Sequence, residues 1–182
     1  MTRVVLSIGS NLGDRLARLQ SVVDGLGDGV VAMSPVYETD AWGRVEQGPF
    51  LNAVLIAEDP DYDGQAWLRR AQEFEQAAGR VRGERWGPRT LDVDLIACYG
   101  DDEIISLENN LTLPHPLAHL RAFVMVPWLD VEPDATLTLA VGRRPVARLL
   151  AELDPADRAG VRLTGLTLES RPPDPSVDTK SP

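Results

Sequence analysis

The chain has 182 residues, a formal net charge of −10, 43% hydrophobic and 25% charged residues, and one cysteine. These totals describe one soluble domain with enough chain to bury a real core. The acidity excludes broad nucleic-acid binding, which needs a basic face. Cys98 alone excludes a disulfide framework, so a reducing cytoplasm is the expected compartment.

No stretch has the apolar length of a signal segment or a membrane span, and there is no internal repeat. "RVVLSI" (3–8) is a β-branched run closed by Gly9, Ser10 and Asn11, which predicts a buried strand. From Asp14 the pattern turns helical. Leu16, Leu19, Val23 and Leu26 share a stripe, and Gly25 and Gly27 are expected to end the helix. Residues 29–39 predict a second strand, with Pro35 marking an edge or a bulge. A polar loop, "DAWGRVEQG", leads into a third strand over 49–58. The next helix spans 64–78, its apolar stripe made by Trp67, Ala71, Phe74 and Ala78.

After the loop "RVRGERWGPR" (80–89) come a strand at 91–98 and a short one at 103–106. Helices around 118–129 and 144–153 complete the ordered part. This β-α-β-β-α-β order predicts an α+β, ferredoxin-like split βαβ arrangement, an antiparallel sheet with helices packed on one side. The expected domain is 1–158. Residues 159–182 form a C-terminal extension, Pro-rich and disordered from about 170 because almost nothing there is apolar.

Alternation along "LDVDL" sends Leu91, Val93 and Leu95 to one face and Asp92 and Asp94 to the other, the carboxylates roughly 7 Å apart at Cα. Taken alone the pair reads first as the solvated face of a strand. Converging, the two could share divalent cations ~4 Å apart, as phosphoryl-transfer sites do. Mg²⁺ suits such a pair, because it takes one or two carboxylates plus phosphate oxygens and water.

Arg80, Arg82, Arg85 and Arg89 sit on a Gly- and Pro-rich loop directly before the carboxylates. Their forked donors match phosphate, although a solvated loop paired with acidic residues explains them equally well. Together the arginines and the carboxylates look like two halves of a polyphosphate site. "GSNLGDR" lacks the lysine and spacing of a phosphate-binding loop and reads as a turn with helix capping. His115, fixed between two prolines, reads as structural or as a second anion contact with Arg121 and Phe123. His119 reads as a helix-surface residue. Trp42, Phe50 and Trp86 lie in or beside polar loops and, with the Asn52 amide, could hold a flat heterocycle.

The blocks "SIGSNLGDR" (7–15), "PFLNAV" (49–54), "RWGPRTLDVDL" (85–95) and "LPHPLAHLRAFV" (113–124) occur in this order. Together they resemble the 6-hydroxymethyl-7,8-dihydropterin pyrophosphokinases of folate biosynthesis. The resemblance covers residues 4 to about 128 and continues to about 155. It implies a ferredoxin-like sandwich and transfer of pyrophosphate from ATP, the co-substrate, to the pterin hydroxymethyl group, releasing AMP. It also implies that Asp92 and Asp94 bind two Mg²⁺ ions and that Arg80 and Arg89 contact the transferring phosphates. Arg82 and Trp86 would belong to a closing loop over ATP. Gln72, Glu75, Arg85, Leu95, Thr112, His115 and Arg121 match the family's positions around ATP. Thr39, Trp42, Phe50, Asn52 and Phe123 match its pterin pocket.

Three departures stand against the pattern. Asp40 and Ala41 replace the proline that often follows the pterin-loop threonine, Gly83 stands where some members are basic, and "GRVEQG" differs in length and charge. The expected partners are the two small molecules alone, acting on a monomer, with no nucleic acid and no membrane. Two other readings fit the residues without the resemblance. One is a different Mg²⁺-dependent nucleotidyltransferase or nuclease; the other is a non-catalytic anion-binding module.

Overall fold

The computed structural model describes residues 1–40, 48–79 and 90–170. Three long strands form the centre of the main sheet. In its middle, β1 (Thr2–Ser10) lies between β4 (Phe50–Asp59) and β5 (Asp92–Tyr99), antiparallel to both. The far edge of β4 is shared by β2 (Val30–Met33), which runs along Leu55–Ala57, and β3 (Tyr37–Thr39), which runs along Phe50–Asn52.

The predicted strand 29–39 is therefore broken in two at Pro35, which has no N–H for the ladder. Ser34 carries the pairing across the break. Its N–H donates to the Val54 carbonyl, and its Oγ accepts from the Val54 N–H, both at 2.9 Å.

Helices cover both faces of the sheet, where the sequence predicted one side. On the first face lie α1 (Arg15–Leu26) and α2 (Gly64–Ala77), the two helices of the split βαβ units. Asp14 caps α1 by accepting the Ala17 N–H, and Asp63 caps α2 by accepting the Ala66 N–H. Leu19, Val22 and Val23 of α1 and Trp67, Ala71 and Phe74 of α2 bury against Val4, Leu6 and Ile8. Gly27, at φ 54°, ends α1, but Gly25 lies inside it. A Cβ on Gly25 would meet the Phe74 ring at 2.3 Å, so its role is close helix packing.

The second face is covered by α3 (Ala122–Val131) and α4 (Val146–Ala151). Val5, Val54 and Ile56 pack there against Val124, Met125 and Trp128. This face received a helix because β1 and β4 are apolar on both sides, a pattern of sheets buried between two layers.

Two hairpins lie outside the main sheet. Predicted strand 103–106 becomes an isolated bridge at Glu103 followed by β6 (Ser106–Glu108), which pairs with β7 (Leu111–Leu113). The second hairpin pairs β8 (Thr136–Leu139) with β9 (Gly142–Pro145), and it takes the start of the predicted helix 144–153.

The packed chain also runs past the boundary expected at 158. After α5 (Pro155–Ala159), β10 (Val161–Leu163) joins the main sheet as its outer strand beside β3. Leu168 is buried in the first core, and the Gln20 side chain exchanges two hydrogen bonds with the Glu169 backbone. The reason is cumulative. Few apolar residues are available here, but pairing with β3 satisfies the backbone and Leu168 fills a core position. The tail from 171 lies outside the described residues.

Candidate active site

The second face of the sheet carries a row of polar residues at one end. Val93 and Leu95 enter the first core, so Asp92 and Asp94 face α3, as the alternation predicted. On β1, Gly9 stands opposite Asp92 and Ser7 opposite Asp94. Gly9 also stands opposite Asn52 of β4, and Asn52 opposite Tyr37 of β3. Asn52 and Asp92 are thus two strand spacings apart, about 10 Å.

Asn52 is 5% exposed and hydrogen-bonded on both sides of its amide. Its Oδ1 accepts from Thr39 Oγ1 at 2.5 Å, and its Nδ2 donates to the Ile8 carbonyl at 3.4 Å. The amide lies over Gly9. A Cβ there would stand 2.5 Å from Nδ2 and 3.5 Å from the Phe50 ring, so both side chains gather where β1 lacks one. This function of Gly9 was missed in sequence, where it read as part of a turn. A glycine inside a strand, the sign of close approach, was the available signal.

Arg121, just before α3, joins the two ends of this face. Its Nη1 is 3.8 Å from Asp94 Oδ2, and its guanidinium lies 5.6 Å from the centre of the Phe123 ring. A bulge in β5 sets the neighbouring segment. The register skips Ile96, so Ile96 and Ala97 both face the second core, and the Ile96 carbonyl accepts the His115 N–H at 2.8 Å. His115 Nδ1 accepts the Leu117 N–H at 3.1 Å. Burial, reinforced by the Arg121 charge, pushes its pKa down to about 4. The imidazole is therefore neutral at pH 7, with its proton on Nε2 as a donor.

The remaining predicted nucleotide positions divide. Glu75 of α2 is 8% exposed, and its Oε2 accepts the Val93 N–H at 3.2 Å, on the open edge of β5 between the two aspartates. Gln72 is half-buried one turn earlier on α2, and Thr112 is half-buried on β7. The Leu95 side chain points into the first core, so any contact it makes with a nucleotide must come from its backbone. His119 falls in a short 3-10 turn, Ala118–Leu120, and is partly buried. Trp42, Arg80, Arg82, Arg85, Trp86 and Arg89, together with Ala41 and Gly83, lie outside the described residues.

The antiparallel α+β sheet thus sets a carboxylate pair at one edge and a buried, hydrogen-bonded amide two strands away on the same face. The family model for 7,8-dihydro-6-hydroxymethylpterin-pyrophosphokinase matches residues 5–133, and the chain belongs to this family. It is thus an ATP-dependent pyrophosphokinase of folate biosynthesis.

The 2-amino-4-hydroxy-6-hydroxymethyldihydropteridine pyrophosphokinase of Mycobacterium tuberculosis is 67% identical over 181 residues, covering 95% of this chain and 96% of that protein. A Methylorubrum extorquens protein of the same description is 41% identical over 160 residues, covering 86% of this chain and 96% of its own. Among solved structures, a Plasmodium falciparum HPPK-DHPS chain superposes with a TM-score of 0.56 at 14% identity. That match covers 83% of this chain and 44% of the Plasmodium chain, and it supports the fold.

Proposed function

We propose that the ATP phosphates bind at Asp92 and Asp94 with two Mg²⁺ ions, and that 6-hydroxymethyl-7,8-dihydropterin lies over Asn52 and Gly9 beside Phe50 and Phe123. The observation that carries this division is the register row, which sets Asp92 and Asn52 on one face with only Gly9 between them. The carboxylates fit Mg²⁺ as hard oxygen donors on one face, and Asp94 keeps 42% of its side chain exposed. Among the described residues there is no group of three or more His, Cys, Asp or Glu that would cage a metal without substrate. When bound, the ions would offset phosphate charge and orient the chain of phosphates for in-line attack.

The protein's own groups do the positioning. Asn52 offers both a donor and an acceptor to the heterocycle edge, and its bond to Thr39 fixes which way the amide faces. Thr39 and Trp42 complete the pterin side. Gln72, Glu75, Arg85, Leu95, Thr112, His115 and Arg121 surround ATP, with neutral His115 as a donor and Arg121 as a fixed positive charge. Arg80 and Arg89 stabilise the phosphate oxygens that gain charge, and Arg82 and Trp86 complete the ATP side. The hydroxymethyl oxygen attacks the β-phosphorus, and the bond to the α-phosphate oxygen breaks to release AMP. Asp92, in the same row as Asn52, is the better placed of the two carboxylates to receive the hydroxyl proton.

Among the described residues no helix is long and apolar enough to cross a membrane. The buried free thiol of Cys98 is consistent with a cytoplasmic compartment.

Incubation with ATP, Mg²⁺ and the hydroxymethyl-dihydropterin, followed by separation of products, tests the reaction. AMP and the pterin pyrophosphate are expected in equal amounts. ADP as the sole nucleotide product would overturn pyrophosphoryl transfer.

A further inference from the structure

We propose that the C-terminal segment Pro155–Leu163 is a specificity-determining wall of the pterin pocket, with Arg162 as the positioning residue that holds it to Asp40. The proposal rests on reading Thr39 and Phe123 as pterin-side residues. A cavity of about 180 Å³ lies on that side of the face. Thr39 and Asp40 at the end of β3 form one wall, and Phe123 at the start of α3 forms a second. The third is made by Ala156, Asp157 and Gly160, from α5 and the link to β10. This third wall lies beyond residue 133, where the family match stops.

The segment is built into the sheet. Val161, Arg162 and Leu163 stand opposite Thr39, Glu38 and Tyr37 in antiparallel register. The ladder continues where Thr164 donates its N–H to the Val36 carbonyl at 3.2 Å and Val36 donates to the Leu166 carbonyl at 3.3 Å.

Asp40 is held to the segment at two points. Its N–H donates to the Gly160 carbonyl at 3.2 Å, and its Oδ1 accepts from Arg162 Nη1 at 3.1 Å. The other Arg162 nitrogen is 3.8 Å from Glu38, which Arg15 pairs with at 3.0 Å. There is little spare room, since a Cβ on Gly160 would stand 3.1 Å from Asp40 Oδ2. Asp40 follows Thr39, whose hydroxyl fixes the Asn52 amide. A shift of the segment is therefore passed to the pterin side through two adjacent residues. Arg162 and Asp40 are both well exposed, so their pair adds little to folding, and its effect is on position.

Two variants of the full chain test the wall by steady-state kinetics with each substrate varied. Ala156→Phe fills the cavity from an exposed position on α5. It is expected to raise KM for the pterin by ~10-fold or more while KM for ATP changes by less than about twofold. Arg162→Ala is expected to raise the pterin KM by roughly threefold to tenfold, with Arg162→Lys recovering part of it and the unfolding midpoint unchanged. If Ala156→Phe does not fold, Arg162→Ala decides. An unchanged pterin KM in the folded variants, or equal rises for both substrates, would overturn the proposal. A wild-type chain that turns over no pterin would instead fault the pterin-side reading beneath it.

Discussion

A methyl group at position 9 would stand 2.5 Å from the Asn52 amide nitrogen, and that amide cannot swing away without breaking its bonds to Thr39 and Ile8. Gly9→Ala is expected to leave the strand intact and to raise KM for the pterin by ~10-fold, the equivalent of one buried hydrogen bond. Kinetics with the pterin varied would check this; an unchanged KM would mean that Asn52 does not read the heterocycle. His115 gives a pH prediction whose sign follows from its environment. Its pKa is about 4 in the folded chain against 6.5 as the ordinary value. Between those values the unfolded chain binds the extra proton, so stability is full above pH 6.5 and falls as the pH drops towards 4. The loss, complete below pH 4, amounts to on the order of 3 kcal/mol. Urea unfolding at pH 7 and pH 5 should show a smaller acid loss for His115→Gln than for wild type.

At the scale of elements, β5 is where sequence and contact explain each other most fully. The alternation of Leu91 to Leu95 was enough to place both aspartates on one face, because a buried face fixes strand phase. The anchoring of that strand was not legible. Glu75 read as a residue near ATP, and in the structure its carboxylate also closes the open edge of β5 at the Val93 N–H. Glu75→Ala leaves that N–H without this acceptor, at a cost of about 1–3 kcal/mol in unfolding free energy, whereas Glu75→Gln keeps an oxygen there and should lose less. Denaturant melts of the two variants measure the difference. Two short strands escaped prediction for a common reason: β7 and β10 have only three residues each, too few for a period to show. Proline carried more information. Pro35 marked the break that divides the predicted strand into β2 and β3.

Across the whole molecule, the proposed site assigns its two substrates to different strands. The carboxylates sit on edge strand β5, the residues proposed for the heterocycle on β3 and β4, and Gly9 of β1 separates them. The residue blocks that carried the family resemblance supplied Asp92, Asp94, Asn52, Phe50 and Phe123, and the fold gathers all five on one face. The wall made by α5 and β10 was not legible, because it depends on the chain folding back onto β3 after 158, and no local pattern encodes that return. The helices on the second face were individually legible around 118–129 and 144–153; their side of the sheet was not. The aspartate pair is central to the proposed chemistry. Turnover of purified Asp94→Asn at saturating ATP, Mg²⁺ and pterin tests it most directly. A fall of at least ~100-fold with an unfolding midpoint close to wild type is expected. Near-normal turnover by the folded variant would contradict it.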